Sequence, residues 1–138
     1  MMLVELSSAP AAALPVAGLK DHLRLGSGFA DDGLQDEVLE AFLRAALASI
    51  EARTGKVLLE REFRWSLTAW REVDRHPLPL APVSAVGSVT QIDRNGTAVP
   101  ASAQRYALEP DMQRPALIAV GATLPCVPRG GRVDVTLL

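Results

Sequence analysis

The chain of 138 residues has a single cysteine, Cys126, so no disulfide can close within it and no multi-cysteine metal centre can be built. Aromatic residues make up only 4% of it, which leaves the core to leucine, valine and alanine. No apolar run approaches the ~18 residues a membrane-spanning helix requires. The opening MMLVELSSAPAAALPVAGL carries Glu5 and lacks a basic leader, against a secretory signal and for synthesis in the cytoplasm. There is no strong charge of one sign either: 14 basic against 16 acidic residues leave a formal charge of -2. A duplex-binding polycation is thereby disfavoured, because tight DNA binding needs a concentrated basic face.

Catalytic patterns are equally scarce. Gly26, Gly28 and Gly33 follow no strand and fit neither phosphate-loop pattern, and none of the serines lies in a G-x-S-x-G elbow. The only histidines, His22 and His76, have no nucleophile placed beside them by spacing and read as surface or packing residues. Cys126, between Pro125 and Val127, reads as a small hydrophobe, since a reactive thiolate needs nearby cations and only Arg129 is close. Asp31, Asp32, Asp36 and Glu37 lack calcium-loop spacing and suit helix capping instead. No catalytic residue, cofactor or metal is assigned.

What the chain does have is ordered patterning that changes character near Gly55. Before it, Val16, Leu19 and Leu23 recur at helical spacing behind Pro15 and ahead of Gly26, predicting a short helix over 15–24. A long helix is predicted over 33–54, closed by Gly55 in a left-handed cap. On it Val38, Leu39, Phe42, Leu43, Ala46 and Ile50 share one side, and Asp36, Glu37, Glu40, Arg44 and Glu51 the other. A third stripe, Ala41, Ala45, Ala48 and Ala52, is a small-residue seam; it faces solvent, faces the chain's own first helix, or admits contact with another subunit.

After Gly55 the period becomes two. Phe63, Trp65, Leu67 and Ala69 alternate with polar residues in a predicted strand over 59–70. Pro77, Pro79 and Pro82 make 76–82 an edge or connector. A strand over 86–92 leads into Asp93-Arg94-Asn95-Gly96, a strong hairpin signal, and a return over 97–99. Segments near 105–108, 116–120 and 132–138 complete five or six strands. The class is α+β: an N-terminal helical layer (1–55), made of a short helix and a long one, with a small antiparallel sheet or barrel (56–138). Trp65 and Trp70, with Phe63, could stack on single-stranded nucleic acid, but the place of Trp65 and Phe63 on the apolar side of one strand favours the core. Trp70, Arg71 and Arg75 suit a protein contact, as tryptophan and arginine are enriched at binding hot spots.

Charge divides along the same line. Residues 1–55 hold eight acids and four bases, a charge of -4, and residues 56–138 eight acids and ten bases, a charge of +2, so neither half is a polycation.

In order, these segments resemble the head-tail connector, or adaptor, proteins of long-tailed bacteriophages and phage-derived gene transfer agents. The short helix ends in Lys20-Asp21-His22-Leu23-Arg24, Asp31-Asp32 follow, and the long helix ends in Glu51-Ala52-Arg53-Thr54-Gly55. Then come Leu58-Leu59-Glu60-Arg61-Glu62-Phe63, the run from Leu78-Pro79 through Pro82-Val83 to Val86, and the Asp93 to Gly96 turn. The resemblance implies a non-enzymatic, structural subunit of a virion or virion-like particle: a ring, often of twelve identical copies, under the portal protein and above a stopper or tail-completion protein. Double-stranded DNA would pass through its channel without tight binding, and no membrane is involved. Longer members continue into C-terminal helices, so such helices are expected beyond residue 138. For a channel subunit, the acidic or neutral turn residues Asp93, Asn95, Glu109 and Asp111 are candidates for the lumen or rim. The rival readings are a nucleic-acid-binding module using Arg61, Arg64, Arg71 and Arg75, and a small enzyme.

Overall fold

The computed structural model describes residues 1–23 and 35–138, which form two compact units: Met1–Ser8 with Glu60–Leu138, and Ala9–Leu59. The expected stop at Gly26, the caps Asp31 and Asp32, and Arg24 of the short-helix phrase lie outside the described residues.

The larger unit is built of eight strands in two antiparallel sheets. Strands β1 (Met2–Glu5), β2 (Phe63–Leu67), β4 (Val86–Ile92), β5 (Ala98–Pro100) and β8 (Arg132–Leu137) make one, in the order β1-β2-β8-β4-β5. Strands β3 (Arg75–Pro77), β6 (Tyr106–Glu109) and β7 (Ala116–Ala119) make the other, in the order β3-β7-β6. The last strand of the sequence is thus the middle of the larger sheet, pairing Trp65 with Val135 on one side and Val89 with Val135 on the other. Alternation follows from that position. Val133, Val135 and Leu137 are wholly buried, while Arg132, Asp134 and Thr136 face the opposite way, where Arg132 Nε meets Asp134 at 3.0 Å and the Ser88 and Thr136 hydroxyls lie 3.1 Å apart.

The apolar face closes against the smaller sheet. Trp65 lies 5.1 Å, ring to ring, from His76 on β3, and Leu117 and Ala116 of β7 are fully buried with it. Prolines behave as expected: Pro77 ends an edge strand, where its missing N–H breaks no ladder. The hairpin also forms, with Asp93 Oδ1 accepting from the Asn95 and Thr97 amides at 2.8 Å each and Gly96 at φ 87°. Strand β1 is an addition to the expected set. Met2–Glu5 pairs with β2 from Met2 and Ser66 to Glu5 and Phe63, and Glu5 takes an ion pair from Arg61 at 3.1 Å. Gly131 is required for a different reason: a Cβ there would stand 2.1 Å from the carbonyl oxygen of Ile92, so no side chain fits between the 129–132 turn and the end of β4.

The second unit holds a 3-10 turn at Ala11–Ala13, α1 (Val16–His22) and α2 (Asp36–Thr54). Pro15 precedes α1, and Gly55 closes α2 at φ 65°, its amide donating to Glu51 O at 2.8 Å. Lys20 and Asp36 join the two helices in an ion pair. The inward side of α2 differs from the apolar side expected. Leu39 is buried and Leu43 and Leu47 are half-buried, but Val38, Phe42 and Ile50 are exposed. Glu40, Arg44 and Glu51, expected on the solvent side, are half-buried instead. Arg44 donates to Glu40 Oε1 at 2.7 and 2.8 Å and to the carbonyl of Ala9 at 2.8 Å, while Glu51 accepts from the Leu58 amide at 2.9 Å. These charges tie the segments flanking the helix to its barrel, which turns the bulkier apolar residues outward.

Candidate subunit and partner contacts

Helix α2 carries an exposed apolar strip. At 100° per residue, Ala41, Ala45, Ala48, Ala52, Val38, Ser49 and Phe42 occupy a continuous arc of roughly 120° without a charged residue. All seven are exposed, Phe42 at 65% and Val38 at 54%. A solvent-facing helix side ordinarily carries charge, so a charge-free strip with an alanine seam is a surface shaped for close approach by another helix.

Trp70 is half-buried and used within its own unit. Its indole N–H donates to the Pro125 carbonyl at 2.7 Å, and its ring stands edge-on to His76 with centroids 5.4 Å apart. Arg71 is exposed, and its backbone amide donates to His76 Nδ1 at 2.6 Å. Arg75 binds Glu109 through Nε at 2.8 Å and a terminal nitrogen at 2.6 Å, joining a candidate partner residue to a candidate rim residue. Of the other rim candidates, Asp93 and Asn95 lie on the β4–β5 turn of the larger sheet. Asp111 follows β6 in the smaller one and fixes its own loop, accepting from the Gln113 and Arg114 amides at 2.6 and 2.7 Å. The four therefore belong to two separate loops.

The 93–96 turn was a candidate from the sequence, but the 129–132 turn beside it was not. The two turns border a cleft of about 450 Å³ lined by Thr68, Asp93, Arg94, Asn95, three glycines and Arg132. The repeated Arg-Gly pattern of Arg129-Gly130-Gly131-Arg132 was the available signal; its pairing with Arg94 depends on β4 and β8 being neighbours. Hydrogen bonds, first from the Thr97 amide and then from Asn95, hold the Asp93 carboxyl below the usual carboxylate range.

His76 is buried between the two tryptophans. Burial, and next the charge of Arg71, lowers its pKa below 6.5, with Glu72 opposing. Because Nδ1 accepts the Arg71 N–H, the neutral ring carries its proton on Nε2, and a second proton on Nδ1 would place two donors face to face. The unfolded chain binds that proton near pH 6.5 and the folded chain only at lower pH, so this contribution to stability is complete above pH 6.5 and is lost as the pH falls below it. Melting midpoints measured at pH 7.5 and 5.5 should fall for the native chain and fall less for His76→Asn. An equal fall in both would remove His76 from the account.

Cys126 is exposed, with its Sγ 3.2 Å from Gln91 Nε2. Among the described residues no cluster of three or more His, Cys, Asp or Glu is arranged to hold a metal, and no helix is long and apolar enough to cross a membrane.

No protein-family model and no curated protein matches the sequence. Solved structures do. A chain in the neck of an empty gene transfer agent particle, computed with C6 symmetry, is 50% identical with a TM-score of 0.91, over 99% of this chain and 70% of its own length. One in the neck of a native particle, computed with C12 symmetry, is 44% identical with a TM-score of 0.86, over 99% and 68%. A third, in the virion of a native gene transfer agent particle, is 50% identical with a TM-score of 0.87, over 99% and 70%.

Proposed function

The chain belongs to the neck proteins of gene transfer agent particles, and from that premise we propose that it is the adaptor ring under the portal, extending the channel by which packaged duplex DNA leaves. It is a structural head-tail connector subunit, located at the head-tail junction of the particle. The observation that carries this is 50% identity sustained over 99% of the chain at a TM-score of 0.91. A ring of twelve accounts for both symmetries of the similar necks, since a twelvefold ring is also sixfold symmetric. In this reading the subunit turns over no substrate and works by holding neighbours.

Each surface then takes a role. The charge-free strip on α2 packs against a neighbouring subunit, where alanines allow helix axes to come within ~8 Å. Arg71, with Trp70 and Arg75 behind it, supports contact with the portal above or the stopper below. The 93–96 and 109–112 loops sit at the lumen or rim. DNA slides past without persistent capture. The test is the mass of the native particle by light scattering, alone and with portal protein: a mass twelve times that of the chain is expected, and a chain that stays monomeric with portal present sinks the reading.

A further inference from the structure

We infer that the cleft between the 93–96 and 129–132 turns is an oxyanion seat, one per subunit, that takes a backbone phosphate of duplex DNA. The inference rests on the channel reading above and adds to it a defined point of contact. Two arginines line it, Arg94 and Arg132, and a third, Arg129, directly precedes the lining residue Gly130 in the chain; all three are exposed. Among the described residues, neither Arg94 nor Arg129 has an ion pair, and Arg132 meets Asp134 through Nε alone. Their terminal guanidinium N–H groups have no acceptor among the described residues, which suits them to an anion, and arginine forks match phosphate oxygens in pairs.

The carboxylates nearby are already committed. Asp93 spends Oδ1 on two amides of its own turn, and Asp134 is taken by Arg132. Counting both against the three arginines leaves the seat one positive charge. The wall between the arginines is glycine: Gly96, Gly130 and Gly131 put no side chain in the way, and the tight fit of Gly131 against Ile92 O holds the two turns in register. No apolar side chain lines the cleft, which suits a hydrated anion better than an apolar ligand. The seat is an open cleft between two loops, accessible to a phosphate that remains part of a chain. One net charge per seat gives weak, salt-labile contacts, compatible with a duplex that must keep moving.

The test uses the full chain, assembled with portal protein, and a fluorescent ~20-base-pair duplex titrated from low to physiological salt. Native rings should bind weakly at low salt and release the duplex as salt rises. Arg94→Gln with Arg129→Gln should lower low-salt affinity at least ~10-fold and flatten the log-log salt slope by about one unit per lost phosphate contact. Both positions are exposed and unpaired, so melting and ring mass should not change. Inorganic phosphate, added at constant ionic strength, separates the sources. Displacement of duplex by phosphate beyond that by chloride supports an oxyanion seat; equal displacement by the two anions, or phosphate binding to rings that ignore duplex, overturns it. Unchanged duplex affinity in intact variant rings overturns the inference and leaves the channel reading standing, whereas failure of the native chain to form rings overturns the channel reading itself.

Discussion

Trp65→Ala should cost the fold about 3–5 kcal/mol, the range for truncating a large aromatic in a packed core. Trp65 is 1% exposed in the middle of β2, between Leu3 of β1 and Val135 of β8, and it spans the gap to His76 of the smaller sheet. Alanine would leave a void bounded by both sheets, one that strands pinned on either side cannot collapse to fill. For a chain of this length the melting midpoint should fall on the order of 10 °C. Trp65→Phe is the informative control. The Trp65 indole N–H is buried with no acceptor among the described residues, so phenylalanine removes an unsatisfied donor as it removes volume, and its cost should be well below that of alanine. At Trp70 the order reverses in kind, because Trp70→Phe breaks the bond to Pro125 O and leaves that carbonyl unpaired. Thermal or urea melts of the three variants decide it: a Trp65→Phe loss equal to that of Trp65→Ala would show that the indole N–H is satisfied in solution.

Much of this core was legible from residue order. Strands β2, β4 and β8 are half-buried, and half-burial writes itself as alternation; the 93–96 hairpin and the Gly55 cap are short-range and depend on backbone conformations that particular residues favour. What escaped depends on contacts far apart in the chain. Met2–Glu5 has no alternation, and it becomes a strand because β2, some sixty residues on, offers an edge. Trp70 read as an outward-facing hot spot, yet its hydrogen-bond partner is 55 residues away. The division into two sheets was invisible because each strand records only its own burial. On α2 hydrophobic periodicity misled in a specific way: Arg44 reaches the Ala9 carbonyl and Glu51 the Leu58 amide, so polar anchoring of flanking segments fixes the inward side and leaves Phe42 and Val38 outside. The site candidates suffered from the same limit, since the Arg94 and Arg132 cleft exists only once β4 and β8 are paired.

Ala45→Leu with Ala48→Leu should break the ring while leaving the single chain intact. Both alanines are exposed, so within the subunit there is space for the added side chains, and leucine and alanine have similar helix propensity. Any penalty therefore falls on a helix that approaches from outside. Overpacking a close contact costs about 1–3 kcal/mol, equivalent to roughly 5- to 150-fold in affinity at each interface. A closed ring repeats the same interface around its whole circumference, so the loss compounds and assembly should require far higher concentrations. Light scattering at fixed concentration should show the native mass replaced by small species, with the melting midpoint of the monomer within a degree or two of native. A ring mass unchanged by the double substitution would place the seam in solvent and move the subunit interface off this strip of α2. A lowered monomer midpoint would instead show that the seam packs inside the subunit in solution. The charge-free arc favours the first outcome, because an interface core excludes charge where a freely solvated helix side carries it.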